Sequence, residues 1–304
     1  MNFPEMKKQP TKHGYQSRMS RRAWLELRRQ GLGGSDAGVA LGCHPFKSPM
    51  DLYIDKKKGK SKEVKGLAVT LGNDLEPFVI KKAQEIYPDR CREIQELQIM
   101  SHPDHPWMMA TVDAGAFGDK GPGIIEAKTA LSKFGALGWI NGAIPPHYRA
   151  QVLHYLAVSG LSWGVIVALT EGPAWHHHVI EPDPEELQDL IEKESRLWRA
   201  IQEDDFAFLL DETDRCADAL GLLYPSHVDE KEIDLRDNER AQKAIDQYFT
   251  SKGFEKAASE DKREAENILK SLIGDCERAY LGSCEITWKT TSRGARRFLV
   301  KETK

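Results

Sequence analysis

The stretch Thr111-Val112-Asp113-Ala114-Gly115, the turn Gly118-Asp119-Lys120-Gly121-Pro122-Gly123, and the continuation Ile124-Ile125-Glu126-Ala127-Lys128 decide the reading of this chain. Side chains alternate faces along a strand, so Glu126 and Lys128 project together while Ala127 points the other way. The turn folds Asp113 back beside them. Two carboxylates brought within about 4 Å repel by roughly 4 kcal/mol at an effective dielectric near 20, and a cation relieves that repulsion. Hard oxygen ligands select magnesium, with manganese as a substitute. Lys128 then stands where it can orient or activate a water against a phosphodiester. Taken alone, the same residues also fit an edge hairpin with ordinary surface charges.

Three flanking segments add to the hairpin. Upstream, Gly72-Asn73-Asp74-Leu75-Glu76-Pro77 reads as the opening of a helix with apolar positions at Phe78, Val79, Ala83 and Ile86. That places Glu76 in the first turn, either as a third metal ligand or as the closing carboxylate of an Asn73-x-x-Glu76 capping box. Downstream, Pro145-Pro146 begins a helix that stops at Gly160, with Gln151 and Tyr155 on one face at i, i+4. Near the amino terminus, a helix carrying Trp24 and Arg28 ends at about Gly31, and a second starts at Ser35-Asp36 after Gly33-Gly34. A helix start beside arginines suits a phosphate, although Ser35 or Asp36 as a plain helix cap is the other reading.

In this order, these segments resemble the YqaJ-like viral recombinases, lambda-type phage exonucleases within the PD-(D/E)xK nuclease superfamily. The resemblance runs from about Trp24 to Trp198. It implies that Glu76, Asp113 and Glu126 are metal ligands, joined by the backbone carbonyl of Ala127, and that Lys128 is the catalytic lysine. It also implies that Arg28, Ser35 and Gln151 contact a terminal 5′-phosphate and that Tyr155 completes a glutamine–tyrosine motif. Val112 stands where the family usually has proline, and Ala114 where glycine is common, which bears on local hairpin geometry.

Composition sets the remaining bounds. The 304 residues carry a net charge of −4, so any grip on DNA depends on local basic patches. Two are present: Lys7, Lys8, Lys12, Arg18, Arg21 and Arg22, and the polar run Lys56-Lys57-Lys58-Gly59-Lys60. No apolar run approaches a membrane span and no signal-like segment opens the chain, which leads us to expect a cytoplasmic protein without a membrane partner. The resemblance adds a bacterial host and a phage or prophage origin. Five scattered cysteines suggest neither a disulfide framework nor a zinc site, and read as buried small hydrophobes. In His176-His177-His178 only the outer two share a strand face, so a metal site there is disfavoured.

The expected fold is α/β, a restriction-endonuclease-like core with a central mixed sheet flanked by helices, followed by a C-terminal helical and β-hairpin extension. Residues 1–19 read as a flexible basic arm, 20–205 as the nuclease domain, 206–229 as a linker and 230–304 as the extension. The extension reads as a helical hairpin broken near Gly253 and a β-hairpin around Ser292-Arg293-Gly294. Its Trp288, Lys289, Arg293, Arg296 and Arg297 fit either packing or a DNA platform. The expected activity is a magnesium-dependent deoxyribonuclease at duplex DNA ends. The resemblance implies 5′-to-3′ digestion leaving 3′ single strands for a single-strand annealing protein, and a ring-shaped homo-oligomer. A structure- or site-specific endonuclease and a non-hydrolytic DNA-end-binding module remain as rivals.

Overall fold

Alternation along the hairpin strands determines the central layer of the computed structural model, which describes residues 9–59, 66–132, 135, 137–172 and 174–302. Strands β1 to β9 are Thr11–Tyr15, Leu32–Gly33, Glu93–Gln95, Gln98–Ser101, Met108–Ala110, Ala114–Gly118, Gly121–Ala130, Gly164–Thr170 and Ala174–Ile180. A five-stranded sheet has the order β3-β6-β7-β8-β9, mixed because β7 and β8 run parallel while the other neighbours are antiparallel. A four-stranded sheet, β1-β4-β5-β2, lies beside it in sequence and shares its core. The expected mixed α/β architecture is present.

The first helices are α1 Arg21–Arg28, α2 Gly34–Ala40, α3 Pro49–Tyr53, α4 Leu67–Ile86 and α5 Pro146–Ser159. Helix α5 connects β7 to β8, since parallel neighbours need a crossover. Odd and even positions sort onto two faces. Ile124, Ile166 and Ala168 pack with Ala150, Val152 and Leu153 of α5, whereas Ile125, Val165 and Val167 pack with Val79 and Ala83 of α4. Glu126 is therefore on the α5 face. Helices α6 Pro184–Glu203, α7 Phe206–Leu209 and α8 Asp214–Leu223 close a further core with α2 and α3 through Leu197, Ile201, Leu209, Cys216 and Val39.

Several expectations need correction. Residues 11–15 of the basic arm are a strand paired with β4, with His13 Nε2 3.0 Å from Ser101 Oγ; Lys7 and Lys8 lie outside the described residues. Helix α4 starts at Leu67, before Gly72; Leu67 and Ala68 are already good helix formers. Asn73 and Glu76 are thus interior residues and no capping box forms there, while Pro77 is carried inside the helix. The segment read as a linker holds α7 and α8, with Cys216 and Ala219 buried. Lys56 to Lys58 belong to a π-helical turn, Ile54–Lys58, instead of a loop, and Lys60 lies outside the described residues. Of the free cysteines, Cys91 and Cys216 are buried, whereas Cys276 is exposed and Cys43 and Cys284 are intermediate.

Contacts divide the chain into two compact units, Met1–Ser226 and His227–Lys304. The second holds α9, Glu239–Ile273, as one unbroken helix of 35 residues, followed by a sheet of β10 Arg278–Leu281, β11 Cys284–Thr290 and β12 Arg296–Glu302. Gly253 costs about 1 kcal/mol relative to alanine in a helix interior, too little to break so long an element. Within the tail, the Arg296 guanidinium lies 3.7 Å from the Trp288 ring centroid and donates to the Gly274 and Cys276 carbonyls at 2.7 Å, so these two residues pack on one another.

Candidate active site

The hairpin brings its acidic residues together as the alternation predicts. Gly118 pairs with Gly121, whose φ of +76° supplies the left-handed residue that closes the turn, and Ala114 pairs with Ile125. Asp113 therefore sits opposite Glu126, and its Oδ2 accepts the Ala127 N–H at 2.8 Å. Val112 and Ala114 do not disturb this register. Lys128, on the same face as Glu126, donates from Nζ to Glu126 Oε1, and its ammonium lies 5.1 Å from the Tyr148 ring centroid.

Burial raises all three carboxylates, and repulsion by Asp113 adds to it at Glu126 and Glu76. Glu126, 1% exposed, is pushed up to about 8 by burial and then by Asp113, against the pull of Lys128. Burial likewise raises Asp113. Glu76, half-buried on α4, is raised by burial and then by Asp113. Burial works against the Lys128 charge, but Glu126 and Asp113 outweigh it and raise that group.

The donor set fits a hard divalent cation at Asp113 and Glu126. Glu126 Oε2 is buried and, among the described residues, has no hydrogen-bond partner. A buried carboxylate oxygen left in that condition beside a second carboxylate has the chemistry of a group that could hold a cation. Among the described residues no group of three or more His, Cys, Asp or Glu side chains stands at metal-holding spacing. Asp113 and Glu126 are the core of the site, and Glu76 couples to them electrostatically.

The opposite wall comes from helices. Gln151 on α5 donates from Nε2 to Glu126 Oε1 at 2.5 Å and to the Tyr155 hydroxyl at 2.9 Å. Tyr155 packs against the start of α2, where a Cβ on Gly34 would lie 2.4 Å from the ring; only glycine permits that approach. Arg28 Nη2 donates to Ser35 Oγ at 3.3 Å. Arg28, Ser35, Asp113, Gln151 and Tyr155 line one cavity of about 210 Å³.

A family model described as the YqaJ-like viral recombinase domain matches residues 23–162. The chain is also 30% identical over 276 residues to the uncharacterized protein YqaJ of Bacillus subtilis (strain 168), a match covering 90% of this chain and 84% of that protein. The chain belongs to the YqaJ-like recombinase family. Among solved structures, this YqaJ-like chain is similar to an alkaline exonuclease (LHK-Exo) from Laribacter hongkongensis, with TM-score 0.49 and 18% identity over 60% of this chain and 93% of that one. A phage related exonuclease from Haemophilus somnus 129PT gives TM-score 0.44 and 12% identity over 57% and 94% of the two chains.

Some residues of this YqaJ-like site escaped the sequence reading. Trp24 lines the cavity with its ring 4.7 Å from the Arg28 guanidinium carbon. The i, i+4 spacing of Trp24 and Arg28 on α1 was the available signal. Lys56, read as one of a surface cluster of lysines, is buried against Asp36 at 2.8 Å. His176 Nε2 is 3.1 Å from Thr170 Oγ1 and His177 Nδ1 is 2.7 Å from the Tyr87 hydroxyl, so two of the triplet have protein partners. No helix among the described residues is long and apolar enough to cross a membrane.

Proposed function

We propose that this protein is a divalent-metal-dependent deoxyribonuclease that digests linear double-stranded DNA from its 5′ ends, using magnesium or manganese. The observation that carries the reading is one cavity lined together by Asp113, Arg28, Ser35, Gln151 and Tyr155. At about 210 Å³ it is smaller than the roughly 300–1,000 Å³ pockets that enclose whole small ligands. It suits a terminal phosphate and its sugar, the end of a chain.

A bound cation supplies Lewis acidity, making water a better nucleophile at neutral pH and neutralising charge on the scissile phosphate. Asp113 and Glu126 would hold it; the family resemblance adds the Ala127 carbonyl and Glu76, which in this structure couples to the pair only electrostatically. Lys128 presents its ammonium to the charge that develops in the transition state. Arg28 and Ser35 seat the 5′-phosphate by charge-assisted and neutral hydrogen bonds. Gln151 fixes the orientation of Glu126 and Tyr155. The family resemblance supports 3′ single-stranded products passed to an annealing protein, and assembly as a ring.

Digestion of linear against covalently closed duplex, with magnesium or a chelator, tests this reading. Linear duplex alone should be consumed, and only with the metal. Cleavage of closed circles would make the protein an endonuclease, and end binding without turnover would make it a capture module.

A further inference from the structure

Asp36 is fully buried, and the side chain of its partner Lys56 is 1% exposed. A buried ion pair is a weak way to stabilise a fold, since desolvation offsets most of the attraction and apolar replacements of similar shape are often tolerated. The pair's hydrogen bonds show what it holds. Lys56 Nζ donates to Asp36 Oδ2 at 2.8 Å and to the Arg28 carbonyl at 3.0 Å. Asp36 Oδ2 also accepts the Gly33 N–H at 3.1 Å, and Oδ1 faces Lys47 Nζ at 3.3 Å. One ammonium thus ties the end of α1, which carries Arg28, to the start of α2, which carries Ser35.

The local backbone is built for this. The π-helical turn Ile54–Lys58 sends Lys56 inward, while Lys57 donates to the Gln202 carbonyl at 2.8 Å and Lys58 lies 5.9 Å from the Tyr53 ring centroid. Such wide turns recur at functional sites. Burial pushes Asp36 up, but Lys56, Lys47 and Arg28 outweigh it and hold the carboxyl well below the usual range. The carboxylate stays ionised.

We propose that the Lys56–Asp36 pair is a positioning device that fixes the spacing of Arg28 and Ser35 and thereby sets the protein's selectivity for 5′-phosphorylated strand ends. Neither residue touches DNA. The inference rests on the reading of Arg28 and Ser35 as a phosphate seat. Loss of the pair leaves Arg28 present but untethered, so discrimination between phosphate and hydroxyl ends should fall while general duplex affinity is kept.

The test is fluorescence anisotropy of short duplexes with 5′-phosphate or 5′-hydroxyl ends, in chelator so that hydrolysis plays no part. The full-length chain is compared with Lys56→Met, Asp36→Asn/Lys56→Met and Arg28→Ala, with circular dichroism as the folding control. The wild-type protein should favour phosphate ends by about tenfold or more, the scale of a charge-assisted contact. Lys56→Met and the double variant should reduce that preference to about threefold or less, with hydroxyl-end affinity within about twofold of wild type. Lys56→Met leaves the buried carboxylate with only the longer Lys47 contact to balance its charge; where it fails to fold, the double variant, which removes both charges, decides. A folded double variant with wild-type preference overturns the positioning role, and loss of preference in Arg28→Ala would then leave the phosphate seat standing. Wild-type preference in Arg28→Ala, or none in the wild-type protein, overturns the seat and the inference together.

Discussion

Asp113 reaches the cavity from the hairpin that also carries Glu126 and Lys128, whereas Arg28, Ser35, Gln151 and Tyr155 arrive on α1, α2 and α5. The hairpin side is local: ladder register alone sets Asp113 opposite Glu126, and alternation places Lys128 on the same face. The helical side is assembled over long sequence distances, and its geometry depends on residues that never enter the cavity, Asp36 and Lys56 at one end and His154 and Glu194 at the other. Chemistry can therefore be lost on the first side with the fold kept, while the second is open to indirect damage.

The largest effect belongs to the hairpin. Asp113→Asn or Glu126→Gln should lower magnesium-dependent hydrolysis by several orders of magnitude and leave the circular dichroism spectrum unchanged, and Lys128→Ala should reduce turnover more than affinity. Near-normal activity of purified Asp113→Asn would remove the site from this hairpin.

The helical side is next, through the anchor of α5. His154 is fully buried, with Nδ1 2.8 Å from Glu194 Oε1 and Nε2 3.0 Å from the Met109 carbonyl. Both nitrogens face acceptors, which calls for the doubly protonated ring. Burial lowers this group, but Glu194 outweighs it and the net shift is upward. A raised histidine stabilises the fold fully below its unfolded value near 6.5 and ceases to do so as pH rises through the higher folded value. Breaking such a pair by Glu194→Gln should cost about 3–5 kcal/mol. Thermal melts across pH should show the variant less stable below that range, with the gap narrowing as pH rises. A pH-independent gap would mean the ring is neutral in the fold.

Arg28→Ala should weaken binding to 5′-phosphorylated ends by about 1.5–3 kcal/mol, roughly ten- to a hundredfold, and matter far less on 5′-hydroxyl ends. Equal effects on both would make Arg28 a general backbone contact, and the two sides of the cavity would no longer differ in function.

What the sequence made legible follows the same division. The hairpin could be read because its strands, turn and chemistry lie within one short segment. The limits of α5 were visible at Pro146 and Gly160, which mark a helix start and stop by conformation alone. The start of α4 was misplaced because Asn73-x-x-Glu76 mimics a cap, and local pattern does not reveal that Leu67 to Thr70 already wind into the helix. Lys56 was taken for a surface charge because nothing in a lysine run says which member meets a buried aspartate twenty positions away. The tail was read as two helices on one glycine, a residue whose cost a long helix absorbs.

The smallest effect should come from the second unit. Ending the chain after Ser226 should leave a folded protein that cleaves short linear duplexes at close to the full-length rate, with losses confined to assembly, partner capture or sustained digestion of long duplexes. A folded truncation without cleavage of short duplexes would place part of the active site after Ser226.

Metal-holding carboxylates and phosphate seat should meet at one site. A crystal structure of the Lys128→Ala protein with magnesium and a 5′-phosphorylated duplex tests it most directly. The terminal phosphate should lie within hydrogen-bond reach of Arg28 and Ser35, with metal density on Asp113 and Glu126 beside it. A terminal phosphate bound away from Arg28, or metal held without Asp113 and Glu126, would contradict it.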